Sequence, residues 1–158
     1  GQEYGQLAHH CDWIKAMTYT KAIGPAGLPL EAGSLVDGLR EADSGLTYEL
    51  AASFVQGLLG LGDGSVEALP AGKGFPPAVL TDEVMRAKVL AGSGVEVLSG
   101  IELVNHPVFP TSISEIEARQ MIEAVQETHT GLVTCWNLLY IPEKNYRHLA
   151  VNQGVNRG

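Results

Sequence analysis

Three short apolar segments constrain this chain more than any other feature. They are Trp13 to Tyr19, Val95 to Val104 and Gly131 to Leu139. Each has the length and aliphatic or aromatic content of a buried strand. Each is separated from the next by helical periodicity, and the first two run into Gly/Pro- or Asn/Pro-containing loops. Strands that alternate with helices predict a parallel sheet with right-handed crossover helices. In such sheets, binding and chemistry collect at the C-terminal edge.

Taken in order, Gln2 to His10 reads as the tail of a helix. From Leu30 to Leu61, the residues Leu35, Leu39, Leu46, Leu50, Phe54, Leu58 and Leu61 recur at three- and four-residue steps, a helical pattern that Gly33 and Gly45 are expected to break into two helices. Gly60 to Pro77 is a Gly/Pro-rich loop, read as a flexible connection or lid within a single domain over residues 1–158. A helix from an N-cap at Thr81 to Ala91 follows, then one capped by Ser112 or Ser114 and running to about Thr128. Ser114-Glu115-Ile116-Glu117 fits a capping box. The last helix covers Glu143 to Val151.

Composition narrows the function classes. A formal net charge of -8 leaves no basic patch for phosphates, so neither nucleic acid nor an anionic membrane is expected as a partner. No apolar run is long enough to span a bilayer. The opening Gly1-Gln2-Glu3-Tyr4 has no Met and no leader pattern, which suggests a processed, trimmed or partial chain. Cys11 and Cys135 read as small buried hydrophobes. No His/Asp/Glu spacing builds a metal site. Gly72-Lys73-Gly74 is followed by Phe75, so no phosphate loop forms; no metal and no cofactor are expected.

Three parallel strands are few, and parallel sheets are normally covered on both faces. If the helices lie on one side, the other face, lined by Met17, Leu98 and Leu103 or their neighbours, lacks a cover. A (β/α)8 barrel removes this difficulty, because its inner faces pack on one another. The expected fold is therefore α/β, a partial TIM-type half-barrel comprising strands six to eight. Its open face calls for the remaining barrel or for a second copy of the chain, as in a homodimer.

Strand alternation sorts the candidate site residues. Glu102 sits in the apolar run Ser99-Gly100-Ile101-Glu102-Leu103-Val104, where a buried carboxylate must be paired or functional. The alternative is that it faces solvent or pairs with Lys15. Trp136 offers either a stacking platform for a sugar ring or a large core side chain. Tyr19 can hydrogen-bond a carboxylate and hold it ionised. His106 and Asn137 lie at the same edge and are candidate ligand contacts. His9-His10 reads as exposed, and His129 and His148 as helix-terminal. Lys15 offers a Schiff base.

Tyr19, Glu102 and Trp136, in that order at three strand ends, resemble the last three strands of the retaining glycoside hydrolases with a (β/α)8 barrel. The stretches Cys11 to Tyr19 and Gly24-Pro25-Ala26-Gly27-Leu28-Pro29 are also similar to uncharacterised glycosidase-like barrel proteins. The resemblance implies a carbohydrate substrate, Glu102 as nucleophile, Tyr19 supporting it and Trp136 lining the sugar subsite. Retaining chemistry also needs an acid/base carboxylate about 5 Å from the nucleophile. In that family it stands on strand four, which this chain is expected to lack. Asp12 lies at the wrong end of its strand to replace it. Lys15 resembles the strand-six lysine of some aldolases on the same fold.

Overall fold

The structure is a computed structural model describing residues 3–21, 27–62, 66, 74–108, 112–134 and 138–151. Along these residues run α1 (Tyr4–Leu7), β1 (Trp13–Ala16), α2 (Leu28–Ala42), α3 (Tyr48–Leu59), α4 (Pro77–Ala91) and β2 (Glu96–Ile101). They are followed by α5 (Glu115–Glu127), β3 (Gly131–Thr134), a 3-10 turn at Leu138–Tyr140 and α6 (Glu143–Val151). The three strands form one sheet in the order β1-β2-β3. Both pairings are parallel: Trp13 faces Glu96 through to Ala16 on Ser99, and Leu98 faces Gly131 through to Ile101 on Thr134. The molecule is thus mixed α/β with an open parallel sheet, as the alternation predicts.

The ladder stops earlier than the apolar runs do. Thr18 supplies the reason. Its amide folds back onto the Ala16 carbonyl at 3.0 Å, and its hydroxyl donates to the Gly100 carbonyl at 2.8 Å and meets Ser99 Oγ at 2.9 Å. A side chain takes the place of the next ladder bond. Tyr19 and Glu102 therefore sit just beyond the paired residues.

Helix boundaries follow capping chemistry. Ser114 and Glu117 form the capping box read from the sequence, with Ser114 N–H donating to Glu117 Oε2 at 2.9 Å and Glu117 N–H to Ser114 Oγ at 3.3 Å. Two expectations need correction. Helix α4 begins at Pro77 and not at Thr81, because a proline in the first turn forfeits no hydrogen bond. Gly33 lies inside α2. The break falls at Asp43 to Thr47, where Gly45 N–H donates to Asp43 Oδ1 and Thr47 Oγ1 accepts the Leu50 amide.

Helices α4 and α5 cover one face of the sheet. Ile14, Ala16 and Val97 pack with Ala87 and Ala91, and Ile101, Leu103 and Val104 join Met121, Ile122 and Val125. Leu103 thus belongs to the helix side, not to the open face. By alternation, Trp13, Lys15, Met17, Leu98 and Gly100 share the other face. There Trp13 is 54% and Met17 47% exposed. Helices α2 and α3 form a hairpin with its own core of Ala32, Val36, Ala51, Ala52 and Val55, closed by Val66, Phe75 and Val79. None of the described helices is long and apolar enough to cross a membrane.

Candidate functional site at the C-terminal edge of the sheet

The central strand sets the site. Gly100 is its key backbone position. A Cβ built there would stand 2.9 Å from the Ala16 carbonyl oxygen, 2.7 Å from Lys15 Cε and 3.3 Å from Tyr19 Cε1. Only glycine lets the two β1-side groups lie flat across β2. In that space Lys15 Nζ donates to the Tyr19 hydroxyl at 2.6 Å and stands 5.1 Å from the centre of its ring. Tyr19 is buried and packs into the larger core cluster. The lysine thus takes one acceptor site of the phenol, which keeps its own O–H as a donor.

Glu102 lies two residues past Gly100, at the end of the same strand, and is only 2% exposed. A carboxylate removed from water to this extent costs several kcal/mol unless other groups compensate it. The fold therefore keeps an acidic group out of water at this edge. The alternative that Glu102 ends the strand facing solvent is overturned by this burial.

His106 follows on the same edge. Its Nδ1 accepts the Val108 amide at 3.1 Å, which leaves the proton of the neutral ring on Nε2. The ring meets Tyr140 edge to face, with centroids 4.7 Å apart. The Asn105 amide also donates to the Tyr140 carbonyl at 2.8 Å, so the segments after β2 and β3 are joined here. Trp136, Asn137 and Cys135 lie outside the described residues, as does most of the Gly60 to Pro77 loop.

Two further residues organise this edge, and the sequence reading overlooked both. Asn145 on α6 is fully buried, and its amide donates to the Leu103 and Ile113 carbonyls at 2.9 Å each. It ties α6 to the backbone immediately after Glu102. A lone Asn in a polar helix carries no signal of this in sequence. Tyr140, in the apolar run Leu138-Leu139-Tyr140-Ile141, reads there as core.

Other readings resolve simply. His9 and His10 are exposed. His129 follows α5 with a left-handed backbone, and His148 pairs with Glu115 at 3.2 Å. Cys11 is not a buried hydrophobe. It is exposed before β1 and its thiol approaches the Leu7 carbonyl. Asp12 is at the opposite end of β1, where its carbonyl accepts the Glu96 amide. Among the described residues, no cluster of three or more His, Cys, Asp or Glu side chains is arranged to hold a metal ion. The chain matches no family model, no curated protein and no solved structure.

Proposed function

We propose that the chain carries one half of a glycosidase-like carbohydrate site on a partial (β/α)8 barrel. The observation that carries this reading is the Glu102 carboxylate, kept in a dry position at the C-terminal end of the central parallel strand. Glu102 acts as the nucleophile, and the Tyr19 O–H helps to hold it ionised. Trp136 is the sugar platform, with His106 and Asn137 contacting hydroxyl groups. The acid/base comes from a second polypeptide segment, the remaining barrel or another copy, that closes over the open face.

The half-site can be tested without the acid/base. A 2-deoxy-2-fluoroglycosyl fluoride needs no protonation of its leaving group. The Glu102 carboxylate attacks the anomeric carbon, the C–F bond breaks and fluoride departs with the bonding pair. Intact-mass and peptide mapping should find the ester on Glu102, and Glu102→Gln should abolish it. No labelling with the gluco, galacto, manno or xylo reagents rejects the reading.

A second reading is a non-catalytic module that self-associates through the sheet, favoured by the exposed Trp13 and Met17 on the uncovered face. Sedimentation should then show a dimer that Trp13→Glu dissociates; a monomer rejects it. The Lys15–Tyr19 contact supports a third reading, a Schiff-base lyase or aldolase using Lys15. Borohydride reduction with pyruvate or dihydroxyacetone phosphate should then fix an adduct on Lys15, and its absence removes that reading.

A further inference from the structure

The α2–α3 hairpin is built inside out. Its core uses small residues, Ala32, Ala51 and Ala52 with Val36 and Val55, while Leu50, Phe54 and Leu58 point outward at 59, 61 and 67% exposure. These three recur every four residues, so they form one stripe along a helix of 12 residues, about 18 Å long. Beside the stripe, Leu39, Leu46, Leu50, Ala51 and Phe54 enclose a groove of ≈ 350 Å³. An exposed apolar surface of this kind marks an interaction site.

Charge identifies the occupant. Residues 28–62 carry Glu31, Asp37, Glu41, Asp43 and Glu49, all exposed, against the single cation Arg40, which sits over the Tyr48 ring. A hairpin with five exposed acids to one cation disfavours an anionic membrane, and it disfavours a second copy of a chain with net charge -8. This chain's own cationic helix, α6, is already engaged: Leu149 packs on the core, Arg147 pairs with Glu143 and His148 with Glu115.

We propose that the α2–α3 groove docks a cationic amphipathic helix from a partner protein. Its apolar anchors, at spacings of three and four residues, fill the groove beside Leu50, Phe54 and Leu58, and its Lys or Arg residues meet the exposed acids of the hairpin. This inference is independent of the carbohydrate reading.

A labelled model peptide tests it: a 14-residue helix with Leu at i, i+3, i+4 and i+7 positions and Lys elsewhere, followed by fluorescence anisotropy. Saturable one-to-one binding is expected, weakened roughly tenfold or more by Phe54→Ala. Asp43→Lys with Glu49→Lys, or a rise in salt, should weaken it several-fold. Leu50→Ala is the second variant should Phe54→Ala lose its helical circular dichroism. Four results overturn the proposal. They are equal binding of the Glu-for-Lys peptide, binding that ignores both apolar variants, a dimer that Phe54→Ala dissociates, and capture by phosphatidylserine vesicles that Phe54→Ala removes.

Discussion

The sheet with α4 and α5 and the α2–α3 hairpin solve the same problem in opposite ways. Each has one apolar side to bury. The sheet buries large side chains, Ile101, Leu103, Met121 and Ile122, and leaves a mixed face where Lys15 and Gly100 lie among Trp13, Met17 and Leu98. The two hairpin helices bury alanines and valines under Phe75, which comes from outside them, and leave Leu50, Phe54 and Leu58 outside. Apolar burial stabilises by about 25 cal/mol per Å². The sheet half therefore gains more per residue from its own core, and the hairpin keeps much of its apolar area for a contact outside itself. The two halves also differ in chemistry: Tyr19, Glu102 and His106 follow the strand ends of the sheet, and the hairpin carries exposed apolar and acidic side chains.

The largest expected effect probes that inversion with one substitution made twice. Phe75 is buried in the hairpin core beside Val66 and Val79, whereas Phe54 stands on the outer stripe. Phe75→Ala should cost about 3–5 kcal/mol in urea denaturation. Phe54→Ala should stay within about 0.5 kcal/mol of zero. Comparable costs at the two positions would mean that the outer stripe is part of the core, and the contrast between the halves would fail.

The next effect tests whether the sheet edge is as tightly specified as its glycine suggests. Gly100→Ala places a methyl group 2.9 Å from the Ala16 carbonyl, which is backbone and cannot swing aside as Lys15 can. A loss of about 1–3 kcal/mol is expected. The Tyr19 resonances should shift as the Lys15–Tyr19 contact is displaced. A neutral result would show that the β1–β2 edge is soft, and with it the case for a preorganised site there.

How far the sequence foretold this depends on the range of the interaction. The strands were legible because the apolar runs are local, and the capping box at Ser114 because it spans only four positions. The outward stripe was half legible. The periodicity of Leu50, Phe54 and Leu58 announces a helix, but Ala51, Ala52 and Val55 form a second apolar face, and periodicity does not rank the two. The Lys15–Tyr19 bond was not legible, since residues four apart in a straight strand lie about 13 Å apart. It exists because Thr18 turns the chain. Asn145 was invisible for a related reason: its partners, Leu103 and Ile113, are remote in sequence and are met through backbone carbonyls, which every residue has.

The smallest effect separates the halves by how their helices start. Helix α5, which covers the sheet, begins with the reciprocal Ser114–Glu117 box, and Lys21 adds an ion pair to Glu117 at 3.4 Å. Helix α3, in the hairpin, has only the Thr47 hydroxyl at its cap. Partial burial raises the Glu117 pKa, but the Ser114 amide and hydroxyl and the Lys21 charge outweigh it, and the carboxyl ends below its usual 4.5. A depressed folded-state pKa means that the stabilisation is fully present above about pH 4.5 and is lost as pH falls through the folded value. Glu117→Gln should therefore flatten the acid side of the stability curve. Ser114→Ala should cost about 1 kcal/mol at neutral pH. Glu49 in α3 is also depressed, through its own amide and Thr47, but it is fully exposed, so solvent screens it. Glu49→Gln should leave the acid limb nearly unchanged. If the two Gln variants flatten it equally, the helix that supports the sheet is no better anchored at its start than the one that faces outward.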